Sequence, residues 1–517
     1  MSKTNLTVKE SELNISSMLE RLLFMGSSLL EVNRWVVVIL FSLSFIYLWK
    51  RRSKTNYPLG PRKLPFVGSI DYFRSKSHLR LTNLKDRYGD IYSIKTGNYN
   101  TIVVCSLGGI LEGLSAGQEL FSGRPDFKSN DLLYLGNRQR GIATADLGSK
   151  TKVKRQFVQD SMDSYCCAAD NCVEQKITDE IMSLICYFLQ QSDQIKEFDP
   201  AECFKFAHLH IMLKLVFDEP YSPDDDTVDE MFDCLDLRFS AEKRKLSDYF
   251  PILATFSDDE FKEMGEKSLN LLKHLRHYLN KHKDTYHPSI IRDTVDQLLL
   301  FLENDEDNGE IETEDIDYLL LTLMSSGFGA VPALLTWLLG YMVAFPEIQI
   351  KVQKELDEVV GRKRFPNLSD QPYLPYTTAV IMEVQRIVTL FPFLLPHRTM
   401  DSCIFQGYDI PKDTLMLFNV WSVHHDNRYW RNPVRFDPNR FLNDSGALSI
   451  PDFYLPYGTG ERRCPGESLV DVEAFLFFTH LLHQLTFTRG SQIPNLEGEY
   501  NYVISPKPFK ITLETRD

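Results

Sequence analysis

The stretch LPYGTGERRCPGESLV, residues 455–470, decides how the rest of the chain is read. Gly458 and Gly460 make a loop whose backbone can approach a ligand closely. Pro465 suits the first position of a helix, and the apolar run VEAFLFFTHLLHQL continues one. This reading puts Cys464 at or near a helix N-cap, between Arg462–Arg463 and Pro465. The positive end of a helix and two guanidinium groups favour thiolate over thiol there. A lone thiolate in a glycine loop suits an axial ligand to haem iron. The residues alone leave two alternatives: a structural cysteine, or a nucleophile needing a histidine partner that the sequence does not locate.

Working outward, the 517-residue chain is 43% hydrophobic and 12% aromatic, enough for a large globular core. A net charge of -14 lacks the basic footprint of a nucleic-acid binder, so no nucleic-acid partner is expected. The nine cysteines are odd in number and form no C-x-x-C pair, which points to a reducing compartment. DIYSIKTG and NTIVVCS read as short strands, and residues 150–300 read mostly as amphipathic helices. Residues 303–317 carry nine acids and no base, a solvated loop leading into a helix N-terminus.

Two uncharged runs compete for a membrane. Trp35–Trp49 is short, but it ends in aromatic residues and is followed by Lys50, Arg51, Arg52 and Lys54. The positive-inside rule puts the side after it in the cytosol. The expected organisation is a lumenal segment at 1–34, an anchor at 35–49, a basic, proline-rich hinge at 50–65 and one catalytic domain at 66–517. Sequons at Asn5 and Asn14 would face the lumen. Leu319–Phe345 is longer and equally uncharged, yet an acidic flank precedes it and two glycines and Pro332 interrupt it. It reads as a buried helix, kinked by Pro332, which leaves the Phe328 carbonyl without its donor four residues on.

Tyr457, Gly460, Arg462, Cys464 and Gly466 closely resemble the haem-binding loop of the cytochrome P450 family, with Tyr457 where phenylalanine is usual. Glu383–Arg386 resembles the family's E-x-x-R pair, and Pro438–Phe441 resembles its P-x-R-F element, whose Arg440 would join that pair. The three motifs stand in the family's order. The resemblance implies a mainly α fold with small β-sheets, preceded by an N-terminal membrane anchor. It implies haem b (iron protoporphyrin IX) on Cys464, with Arg462, His397 and Arg155 toward the propionates. Thr151 stands where the family usually has a tryptophan donor, and Arg138 or Arg140 is the expected substitute. The Leu319–Phe345 run resembles the helix that crosses the distal side of the haem. There Gly329 and Ala330 replace the family's proton-relaying acid and alcohol. Ser326 and the Pro332 kink, each with room for a water, are the candidate replacements.

FSGRPDF (121–127) and the closing PNLEGEYNYVISPKPFKITL resemble the microsomal branch holding steroid 17α-hydroxylase and the aryl-hydrocarbon hydroxylases. GRPDF, L-x-x-GNR, the missing tryptophan and the Ala330–Val331 pair resemble the arthropod Spook and Spookier group of ecdysteroid synthesis. The implied protein is an endoplasmic-reticulum monooxygenase with a cytosolic catalytic domain and a lipophilic, sterol-like substrate. Its electrons would come from NADPH–cytochrome P450 reductase, with cytochrome b5 as a second donor. The alternatives are a haem-thiolate isomerase, dehydratase or lyase acting on a peroxide, and a non-catalytic haem-containing ligand binder.

Overall fold

The structure is a computed structural model. It describes residues 36–43, 56–62, 68–69, 72, 75–167, 172–218, 226–241, 246–250, 253, 258–304, 311–312, 314–500 and 503–516. Two compact units are present, 1–57 and 58–517. In the first, residues 36–43 form a helix whose apolar side chains are all exposed. The sequons, the ends of the expected anchor and the basic cluster after it lie outside the described residues. The second unit begins inside the proline-rich stretch: Ser93 N–H donates to Leu59 O at 2.8 Å.

The long helices of the second unit are α1 (Ser77–Tyr88), α2 (Ser149–Cys167), α3 (Cys172–Ile195), α4 (Ala201–Phe217), α5 (Asp226–Ala241) and α6 (Asp258–Lys283). They continue as α7 (Thr294–Asn304), α8 (Asp315–Ser325), α9 (Ala330–Ala344), α10 (Pro346–Val359), α11 (Pro375–Val388) and α12 (Glu467–Gln484). The β-rich runs form a hairpin of β1 (Ile91–Thr96) and β2 (Tyr99–Val104). Strands β3 (His397–Arg398) and β4 (Leu415–Phe418) complete a sheet of order β1-β2-β4-β3, in which β2 and β4 are parallel. Pairing of His397 with Met416 fixes His397 at the sheet's edge.

Helices α4, α9 and α12 carry apolar residues around most of their circumference, so they can only sit inside other helices. Every residue from Val331 to Val343 in α9 and from Glu473 to His483 in α12 is buried. Each fully buried Leu, Val or Phe contributes about 1.5–3 kcal/mol over its exposed state. The Leu319–Phe345 run therefore reads correctly as a core element rather than a second membrane span.

It is not one kinked helix, however. Helix α8 ends at Ser325, Ser326 adopts an extended ψ of 136°, and Gly327 takes φ of +79°, before α9 restarts at Ala330. The expected Pro332 kink is corrected here. Pro332 lies in the first turn of α9, where proline is tolerated, although its missing N–H leaves the Phe328 carbonyl without that donor. The left-handed glycine makes the interruption. Asp315 and Asp317 occupy the first turn of α8, as the acidic run predicts, and Lys154 Nζ holds Asp315 at 2.6 Å.

Candidate haem site

Helix α12 begins at Glu467 with Gly466 as its N-cap, so Cys464 lies near the cap, two residues before it. The loop is closed from within: Cys464 N–H donates to Tyr457 O at 3.0 Å, and Arg463 N–H donates to Gly460 O at 2.9 Å. Gly460 has φ of +69°, and a Cβ there would lie 1.8 Å from Leu114 O. Only glycine fits that approach.

Cys464 is accessible although protein surrounds it closely. Burial pushes its thiol above the ordinary value, opposed by a bond from the Gly466 backbone and by the charge of Arg155. The two flanking arginines do not activate it as the sequence suggested. Arg463 turns to Glu467 in a bidentate pair of 2.5 and 2.6 Å. Arg462 reaches Ser122 O at 2.5 Å, Ala145 O at 2.6 Å and Ile142 O at 3.2 Å.

Arg462 belongs to a cluster. Arg155, from α2, donates to Glu461 O at 3.1 Å and Arg463 O at 2.5 Å. Arg124 donates to Ala143 O, Leu395 O and Pro396 O at 2.9–3.0 Å. All three guanidinium groups are held by neutral carbonyls among the described residues. Asp146 is close, but its oxygens serve Arg124 N–H, Arg138, Gln139 and Arg398. Burial first, then Arg155, holds Arg462 down at about 9. Arg124 is lowered by burial, then by Arg462 and Arg155. Arg462 Nε is buried with no partner. Such a concentration of positive charge calls for an anion, and the two carboxylates of haem supply one beside an accessible cysteine. The donor set fits the group.

His397 enters this cluster uncharged. Its Nδ1 lies 2.7 Å from Phe121 O, which can only accept, so Nδ1 carries the proton. Burial, then Arg124 and Arg462, pushes its pKa far down. Arg124 is the residue that the sequence reading missed. Its signal was the run Gly123–Arg124–Pro125, where Gly123 lets the segment lie on β3: Arg398 N–H donates to Gly123 O at 2.8 Å. Arg138 and Arg140 do not fill the place of the missing tryptophan. Arg138 is bound by Asp126 and Asp146, and Arg140 lies over the Tyr318 ring at 4.5 Å. Thr151 donates to Asp146 O at 2.9 Å.

Behind the loop, Glu383 and Arg386 are fully buried and bidentate at 2.6 and 2.8 Å. Arg440 Nε and Asp437 N–H both donate to Glu383 Oε1, at 2.9 and 3.0 Å. Arg386 extends to His424 O at 2.7 Å. Tyr457 has a use for its hydroxyl: it donates to Asp471 Oδ1 at 2.5 Å and accepts from Gln385 Nε2 at 2.8 Å. Burial holds Asp471 up at about 6 despite that bond.

On the distal side, Ser326 Oγ donates to Thr322 O and Ser325 Oγ to Leu321 O, each at 2.5 Å. Both hydroxyls bond back into their own helix. Gly329 is the N-cap of α9 and Ala330 its first residue. Neither has a side chain able to move a proton. The aromatic side chain of the break, Phe328, packs edge-on against Phe232, which stacks on Phe206 at 3.9 Å.

Comparison with known proteins agrees with these motifs. The Cytochrome P450 family model matches residues 58–513. Cytochrome P450 1A5 of Gallus gallus is 33% identical over 451 residues, 83% of this chain and 84% of that protein. The steroid 17-alpha-hydroxylase/17,20 lyase of Rana dybowskii is 32% identical over 494 residues, 91% of this chain and 93% of that protein.

Proposed function

The chain belongs to the cytochrome P450 family, and from that premise we propose that it oxidises a lipophilic, sterol-like substrate, in the line of ecdysteroid synthesis. The family's enzymes are haem-thiolate oxidoreductases that incorporate oxygen. When bound, the haem supplies oxygen activation. This chain's part is to hold it and to shape what surrounds it. Cys464 would hold the haem iron through its sulfur, presented by the loop from Tyr457 to Gly466, with Gly460 allowing the loop's close seat. Arg124, Arg155 and Arg462 take the propionates, with His397 beside them. Glu383, Arg386 and Arg440 brace the loop from behind.

The observation that carries this reading is the pairing of an accessible cysteine with three guanidinium groups that have only carbonyl partners. The sterol substrate rests on likeness to a steroid hydroxylase along most of both chains. The exposed apolar helix at 36–43 supports a single anchor within 35–49, followed by the 50–65 hinge and the 66–517 catalytic domain, in the endoplasmic-reticulum membrane with that domain cytosolic. NADPH–cytochrome P450 reductase, and cytochrome b5 as a second donor, complete the system. Gly329 and Ala330 favour a second reading, a peroxide isomerase, dehydratase or lyase, because such chemistry can dispense with a proton relay.

Reconstitution with reductase separates the two. The proposal expects NADPH-dependent oxygen uptake stimulated by sterols. Turnover of a fatty-acid hydroperoxide without NADPH, and none of sterols with it, would replace it with the second reading. A sterol-induced Soret shift without any turnover would leave only a ligand binder.

A further inference from the structure

Helices α8 and α9 bring no side chain suited to proton handling to the break between them, but another helix does. We propose that His208, on α4, is a proton-accepting group for the distal side, held in place by Glu473 of α12 and acting through the polar gap at Gly327–Gly329. The inference rests on the haem-thiolate reading.

His208 and Glu473 are 2% and 0% exposed. His208 Nδ1 lies 2.9 Å from Glu473 Oε2. An ionised carboxylate only accepts, so Nδ1 carries the hydrogen and Nε2 is left as the working end. Nε2 is buried with no partner among the described residues, as is Glu473 Oε1. The direction of Nε2 is set by the break itself: a Cβ built on Gly327 would lie 3.0 Å from it. Two features of Gly327, its φ of +79° and its nearness to this ring, each disfavour a side chain.

The backbone facing the ring is unusually open. Among the described residues, the N–H groups of Gly327, Phe328 and Gly329 donate to no backbone carbonyl, and Pro332 cannot serve the Phe328 carbonyl. Buried polar groups are normally satisfied, so several left over on both sides of one gap mark a functional place. A structural pin between α4 and α12 would not need His208: buried ion pairs are often no better than well-packed apolar residues of like size.

The test uses hydrogen cyanide and the haem-loaded full chain. Cyanide binds ferric haem as the anion, so the acid must give its proton to a base. Nε2 would take it, giving an imidazolium ion against the Glu473 carboxylate. His208→Gln keeps a donor for Glu473 but cannot accept the proton. The proposal expects His208→Gln to retain the thiolate band of the reduced carbon-monoxide complex and a near-native melting midpoint, while the cyanide Kd rises at least tenfold. His208→Leu should show the same rise with a lower midpoint. A native cyanide Kd in His208→Gln would reduce the pair to a structural pin, as would loss of its thiolate band. Absence of that band from the unaltered protein would instead sink the haem-thiolate reading.

Discussion

The cysteine loop and the broken helix at Gly327 are built in opposite ways. In the loop, Cys464 N–H, Arg463 N–H, the Tyr457 hydroxyl and both Glu383 oxygens have close partners. Around the break, three N–H groups lack backbone partners and a buried imidazole nitrogen has none among the described residues. A satisfied network is costly to disturb, whereas an open polar gap can accept water, ligand or proton. The difference separates holding from chemistry: rigidity lies behind the sulfur, and adaptability lies where substrate and oxygen are expected.

That contrast breaks most visibly at Glu383. Glu383→Ala leaves Arg386 buried without its counter-ion, which should cost about 3–5 kcal/mol and abolish haem retention. Thermal unfolding and haem content check this, and a loss below about 1 kcal/mol would contradict the brace.

Two glycines sharpen the comparison. Gly460→Ala drives a Cβ to 1.8 Å from a backbone oxygen, whereas Gly327→Ala meets a side-chain nitrogen at 3.0 Å. Both are strained by positive φ, at about 1–3 kcal/mol, but only the first has a rigid obstacle. Melting should fall further for Gly460→Ala, with conversion of the thiolate carbon-monoxide band. Equal losses would mean that the two sides are equally stiff.

Asp471 gives a pH test of the loop. Burial lifts its folded-state value from 3.8 to about 6, so the folded chain holds this proton more tightly than the unfolded one. Its contribution to stability is full below about pH 4 and is lost as pH rises through about 6. Asp471 is also open to solvent, which screens the effect, so the loss is about 1 kcal/mol. Asp471→Asn should flatten this part of the pH–stability curve. Tyr457→Phe should move it to higher pH, because the bond that lowers Asp471 is gone. An unchanged curve in Asp471→Asn would assign the slope elsewhere.

The smallest effect belongs to Ser326. Its hydroxyl is spent on Thr322 O, so Ser326→Ala should shift stability by no more than about 0.5 kcal/mol and leave NADPH-driven oxygen uptake unchanged. A several-fold fall in uptake would restore Ser326 as a proton carrier.

What the sequence made legible follows the same division. The loop, the Glu383–Arg386 pair and Arg440 are short motifs whose meaning is carried by local spacing. The distal features depend on residues far apart in the chain. His208 meets Glu473 265 positions away, and nothing in the AHLHIML run announces that partner. Arg124 joins Arg462 only because a glycine strap lies on β3. The break at Gly327 was foreshadowed by two glycines and a proline, but the deciding torsion belongs to the glycine. The two arginines beside Cys464 misled because adjacency in sequence does not set where long side chains point.

The central claim, a haem held by the Cys464 thiolate, has one most direct test. The reduced carbon-monoxide spectrum of the unaltered protein should show the thiolate band, and Cys464→His should lose it while still binding haem. Survival of that band in Cys464→His would contradict the account.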